Sequence, residues 1–124
     1  MPLITRFEDL HAWQEARSLN KLIYSFCAEG VFARDYGLKD QIQRAAISIM
    51  ANIAEGFDCS SKSEFARFLS FARRSAVEVQ SLLYATIDLG YLTGQQFDAG
   101  YAQAEKTKAL IGGLIHSIKK RRDT

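Results

Sequence analysis

Along the stretch Gln41 to Gly56, polar and apolar positions alternate with the period of a helix rather than a strand. At about 100° per residue, Gln41, Arg44, Ser48, Asn52 and Glu55 fall within an arc of roughly 80°. Ala45, Ile42, Ile49, Ile53, Ala46, Met50, Ala54, Ile47 and Ala51 spread over most of the remaining circumference, interrupted only by Gln43. An ordinary surface helix needs an apolar stripe a little over ~100° wide. This one is apolar over about two-thirds of its girth, so the pattern predicts one side against its own bundle and a second side against something else.

Three further segments carry the same period, and none alternates with a period of two. The first runs from about Glu8 to Glu29, with Leu10, Trp13, Ala16, Leu19, Ile23, Phe26 and Cys27 at three- and four-residue steps. Thr5 and Glu8 have the spacing of a capping box at its start, and Gly30 marks its end. The second helix is expected to begin near Gly37 or Leu38 and to stop at Gly56, read as a left-handed C-cap. Ser61 and Glu64 repeat the capping-box spacing and open a third helix reaching Leu89. Its core stripe is Phe65, Phe68, Leu69, Ala72, Ala76, Val79, Leu83 and Ile87. Gly90 closes it. Thr93 and Gln96 cap a fourth helix that carries Phe97, Tyr101, Ala104, Ile111, Ile115 and Ile118 on one side. Four amphipathic helices with short connections predict an all-α, up-down-up-down four-helix bundle, with residues 1–124 as one domain.

Composition narrows the class without naming a chemistry. A hydrophobic fraction of 48% and a charged fraction of 24% suit a globular protein. No apolar run approaches the ~20 residues needed to span a bilayer, and the first residues lack the pattern of a signal peptide. Cys27 and Cys59 suggest no disulfide framework. A cytoplasmic protein without membrane contact is the expectation. The net charge of +2 is local in origin. Lys119, Lys120, Arg121 and Arg122 supply four of the 16 basic residues, and without them twelve oppose 14 acidic ones.

Candidate catalytic groups are sparse. His11 and His116 sit near opposite ends of the chain, in no arrangement that would assemble a helical metal site. Cys27 falls on a core stripe and Cys59 in a turn. No glycine-rich phosphate loop, nucleophile elbow or carboxylate pair is present. A non-enzymatic protein without a cofactor is expected.

The polar stripe of the second helix admits two readings: a solvated face, or a buried ladder in which Arg44, Asn52 and Glu55 pair with neighbouring helices or subunits and fix register. Ser48 and Asn52 are mediocre helix formers, and the helix dipole disfavours Glu55 near the C-terminus. On the third helix, Phe71 lies away from the core stripe, among Arg67, Arg74, Glu78 and Ser81. With the apolar girth of the second helix it predicts a subunit interface. Arg67, Arg73, Arg74 and the cluster Lys119, Lys120, Arg121 and Arg122 are the candidates for phosphate contacts.

Tyr36 to Phe57, with its core Asn52-Ile-Ala-Glu-Gly56, resembles the four-helix-bundle family encoded in intervening sequences of 23S ribosomal RNA genes. Phe7-Glu-Asp-Leu-His-Ala-Trp-Gln-Glu-Ala-Arg17, Ser63 to Arg73 with Ser75 and Glu78, and Leu89-Gly-Tyr-Leu92 agree with its pattern. Met50 stands where that family commonly has proline, and Arg74 where it commonly has glycine. The resemblance implies a homopentameric ring. The chain is also similar to accessory proteins of diversity-generating retroelements, which implies RNA or DNA and a reverse transcriptase as partners. The slightly acidic body departs from the strongly basic surface of those proteins. The functional expectation is a nucleic-acid-associated accessory or scaffold protein; the alternative is a protein-interaction module without nucleic-acid affinity.

Overall fold

Four helices make up the computed structural model, which describes residues 3–122: α1 (His11–Phe26), α2 (Tyr36–Asp58), α3 (Lys62–Asp88) and α4 (Gly94–Arg122). Short 3-10 turns at Phe7–Asp9 and Phe32–Arg34 precede α1 and α2, and no strand occurs among the described residues. Capping chemistry sets the starts of α2, α3 and α4 and the end of α3. Asp35 accepts from the Leu38 amide at 3.1 Å, which starts α2 a residue or two earlier than its apolar pattern predicts. The same carboxylate accepts the Tyr91 hydroxyl at 2.8 Å, tying the start of α2 to the α3–α4 connection. Ser61 accepts from the Glu64 amide at 3.1 Å, and Thr93 and Gln96 form a reciprocal box at 3.1 and 2.9 Å. Gly90, at φ 74°, ends α3 in a Schellman turn, with Tyr91 N donating to Thr86 O at 2.9 Å.

Two expected ends differ. The Thr5–Glu8 capping box does not form. Glu8 lies in the 3-10 turn beside Arg6 at 3.4 Å, and α1 starts after Leu10 without a side-chain cap. The bend brings Phe7 edge-on to Trp13 at 5.2 Å and buries Leu10. Burying a leucine side chain is worth about 1.5–3 kcal/mol, more than the ~1 kcal/mol of a cap. At its far end α1 stops at Phe26 rather than Glu29.

The second difference concerns Gly56, which is not a C-cap. It lies inside α2, buried, and α2 continues to Asp58. A β-carbon there would sit 2.7 Å from Phe68 Cβ, 3.0 Å from Phe65 Cδ1 and 3.3 Å from the Phe65 carbonyl oxygen. The residue is a glycine because α3 crosses there in contact with the α2 backbone.

Contacting positions run in opposite directions between successive helices: Gln41 with Glu78 and Ser48 with Ser75; Gln80 with Lys108 and Tyr84 with Phe97. Between α1 and α4, Glu15 meets Gln103, and Phe26 reaches the Gly100 backbone. α1 and α3 each pack on α2 and α4, so the helices form a square with α1 and α3 on one diagonal, and the chain runs up, down, up, down. Leu19, Ile23, Ile42, Ile49, Ile53, Leu69, Leu83 and Ile111 fill its centre. The buried hydroxyls of Thr86 and Thr107 donate to Leu83 O and Gln103 O, so neither is left unpaired.

Replacing Gly56 by alanine should lower unfolding free energy by about 1–3 kcal/mol in urea titrations, despite alanine's better helix propensity. An unchanged or raised midpoint would show that the crossing yields freely. Cys27 is buried, and desolvation pushes its thiol up to about 11. At pH 8 a thiol reagent should therefore modify only Cys59 promptly in the folded protein, and both cysteines after unfolding.

Candidate functional site

The polar stripe of α2 borders its packing with α3. Ser48 is half-buried, and its hydroxyl oxygen accepts from Ser75 Oγ and from Asn52 Nδ2, each at 3.0 Å. Asn52 Nδ2 also donates to Ser48 O at 2.9 Å. About two turns earlier on α2, Gln41 Nε2 donates to Glu78 Oε2 at 3.4 Å. These contacts edge a shallow cleft of about 310 Å³ that also includes Arg44. The middle of the stripe is thus a half-buried hydrogen-bonded chain between α2 and α3. Its outer members differ: Arg44 and Glu55 are exposed, and neither makes an ion pair among the described residues. The ladder expected of Arg44, Asn52 and Glu55 does not form within one chain, because Asn52 turns back on its own helix and the two charges stay in water.

The apolar excess of α2 is also smaller than its helical wheel predicts. Met50 and Ala54 are half-buried, leaving Ile47, 46% exposed, and Ala51 beside the polar stripe. The α2 helix runs unbroken through Met50.

On α3, Phe71 is half-buried rather than bare. It meets Phe68 edge-on at 5.9 Å, and the guanidinium groups of Arg67 and Arg74 lie 5.3 and 6.0 Å from its ring centre. Arg67 is also held by Glu64 at 3.0 Å. The exposed Arg74 extends over an aromatic ring.

The candidate phosphate-binding residues do not form one stripe. Arg67 and Arg74 share the outer face of α3, while Arg73 is turned about 100° from Arg74, toward α4. Lys119 and Lys120 are exposed on the last turns of α4; the side chains of Arg121 and Arg122 lie outside the described residues. The register that pairs Gln80 with Lys108 brings Lys119 and Lys120 level with Arg67, at one end of the bundle. Elsewhere on α4, Lys106 pairs with Glu15 at 3.4 Å and Lys108 with Glu105 at 3.2 Å. A hydrogen bond from Gln103, aided by Lys106, holds the Glu15 carboxyl below its usual range, and Lys108 with Gln80 does the same for Glu105.

His11 and His116 are exposed. Among the described residues no group of three or more His, Cys, Asp and Glu side chains is placed to hold a metal ion, and no helix is long and apolar enough to cross a membrane. Two features escape the sequence reading. One is the close approach at Gly56, whose only signal is a glycine facing the aromatic pair Phe65 and Phe68. The other is the bond from Ser75 to Ser48, which needs the α2–α3 register.

No curated protein matches the chain. A solved structure, a protein with unknown function from the S23 ribosomal protein family of Bacteroides thetaiotaomicron, is 21% identical. It matches with a TM-score of 0.78 over 85% of this chain and 95% of its own, a likeness of fold. Residues 8–113 match the model of the 23S rRNA-intervening sequence protein family, a stretch that includes Gly56, the Ser48–Ser75 contact and most of all four helices, and the chain belongs to that family.

Proposed function

We propose that the protein is a non-enzymatic scaffold that assembles with copies of itself through the outer face of α2 and α3, in a ring of five as the family resemblance implies. One observation carries this reading: that face collects exposed Ile47 and Ala51, half-buried Phe71, and the charges Arg44, Glu55 and Arg74, none of which has an ion-pair partner among the described residues. Unpaired charges of both signs around apolar positions suit a partner of mixed charge, and another copy of the chain supplies one. Light scattering at micromolar concentration should give a multiple of 13.9 kDa. The double change Ile47→Glu with Arg44→Glu should weaken association about tenfold or more while leaving helicity intact. A monomeric mass for the unaltered chain would remove the reading.

A second reading, nucleic-acid association, is favoured by Lys119 and Lys120 at one end of each bundle, since a ring would repeat that pair. Binding to structured RNA or to DNA should then weaken steeply with salt, and deleting residues 119–124 should reduce it without abolishing it. No binding at low salt, or complete loss on that deletion, would leave the interaction module without nucleic-acid affinity.

A further inference from the structure

Trp13, Arg17 and Lys21 stand at successive four-residue steps of α1, so an indole, a guanidinium and an ammonium follow one another along a single face. They line an open cleft of about 620 Å³, with Ser18 beside them and Arg6, Glu8 and Asp9 on the opposite wall. Charge in this cleft is unevenly satisfied. Glu8 and Asp9 both lie against Arg6, at 3.4 and 3.8 Å, and Gln14 Nε2 donates to the Glu8 carbonyl at 2.9 Å, bracing that wall. Arg17 and Lys21 have no ion-pair partner among the described residues. The only acidic residue within α1, Glu15, faces α4 and is engaged by Lys106 and Gln103. Two neighbouring cations are therefore unpaired, and with Glu8 and Asp9 sharing the single Arg6 the cleft keeps one net positive charge.

One of them is already positioned. The Arg17 guanidinium lies 5.7 Å from the centre of the Trp13 ring, and Phe7, in the 3-10 turn before α1, meets that ring edge-on. A guanidinium resting on an indole has less rotamer freedom to lose when it meets an anion, and its planar fork matches two phosphate oxygens. We infer that this cleft binds a phosphate ester, with Arg17 and Lys21 on the phosphate oxygens, the Ser18 hydroxyl as a further donor, and half-buried Trp13 against the attached base. The volume is that of an ordinary small-molecule site and admits a nucleotide. The same chemistry is presented by a single strand or by a free nucleotide. The strand form rests on the nucleic-acid reading above; the site itself does not.

Trp13 is the chain's sole tryptophan, so its emission reports on this cleft directly. The test titrates the full-length protein with a short unstructured RNA and, separately, with adenosine monophosphate, following Trp13 emission and the anisotropy of labelled RNA. A saturable emission change is expected. Arg17→Ala with Lys21→Ala should weaken binding about tenfold or more and reduce the RNA salt slope by about 1.4, at unchanged helicity. Lys119→Ala with Lys120→Ala should leave the emission change in place. A response to both ligands, or to the nucleotide alone, assigns the site to free nucleotides; a response to RNA alone assigns it to a strand. RNA binding seen in anisotropy but indifferent to Arg17 and Lys21, with silent emission, would overturn the cleft and spare the nucleic-acid reading. Silence from both ligands in both signals would overturn the cleft, while the nucleic-acid reading stands or falls on structured RNA and DNA.

Discussion

At Gly56 the backbone of α2 lies against Phe65 and Phe68 of α3 with no room for a side chain between them, and this contact governs how the two helices face each other. Packed helices with larger residues at the crossing stand about 8–10 Å apart; a glycine lets the axes approach more closely there. The proximity has consequences several turns away. It brings Ser48 and Ser75 to 3.0 Å and Gln41 within reach of Glu78. A larger residue at the crossing would wedge the helices apart and break these weak polar contacts first, because hydrogen bonds fail over a few tenths of an ångström. The outer α2–α3 face is therefore a product of the crossing, not an independent feature.

Periodicity alone made the bundle legible. Helix number, the buried Leu69, Ala72, Ala76, Val79 and Leu83 of the α3 stripe and the Ser61 and Thr93 caps follow from positions at three- and four-residue spacing, because a helix imposes one geometry on every such pair; Phe65, Phe68 and Ile87, expected on the same stripe, are only half-buried. What could not be read depends on partners distant in sequence. Gly56 looks like a helix terminator when only its neighbours are considered; Phe65 and Phe68 make it a packing residue. Thr5 and Glu8 have the right spacing for a cap, yet burial of Leu10 competes for the same backbone and prevails. Phe71 looks exposed on a helical wheel, since a wheel does not show two arginines folding back over the ring. For the candidate site, the α2 stripe was visible as a stripe, but its division into bonded Gln41, Ser48 and Asn52 and the unpaired charges Arg44 and Glu55 required the register of α3.

Charge follows a similar logic. Of the twelve cations outside the C-terminal cluster, four have a carboxylate within ion-pair distance: Arg6 with Glu8 and Asp9, Arg67 with Glu64, Lys106 with Glu15, Lys108 with Glu105. Exposed pairs of this kind add little stability, typically below about 1 kcal/mol each. Their larger effect is to cancel the field that would attract phosphate. Net charge is thus a poor guide to where an anion would settle. The informative cations are those without partners among the described residues, and on α1 these are Arg17, which rests on the Trp13 ring, and Lys21 one turn further.

The two candidate surfaces are compatible because of where the square bundle puts them. α1 and α3 lie on one diagonal; the α2 part of the contact adjoins α1 at Tyr24, about one turn past Lys21, and shares no residue with the α1 cleft. Each chain would bring one weak phosphate site to the assembly. Two cations in water hold a phosphate only loosely, since each contact is screened over about 8–10 Å at ordinary ionic strength. Sites carried on a rigid ring act on one strand together, and after the first binds, the others see it at a high effective concentration. A free nucleotide gains nothing from this, because it occupies one cleft at a time. Assembly would therefore separate the two ligand sources: it strengthens the hold on a strand that spans neighbouring copies and leaves the affinity for a nucleotide where a single chain sets it.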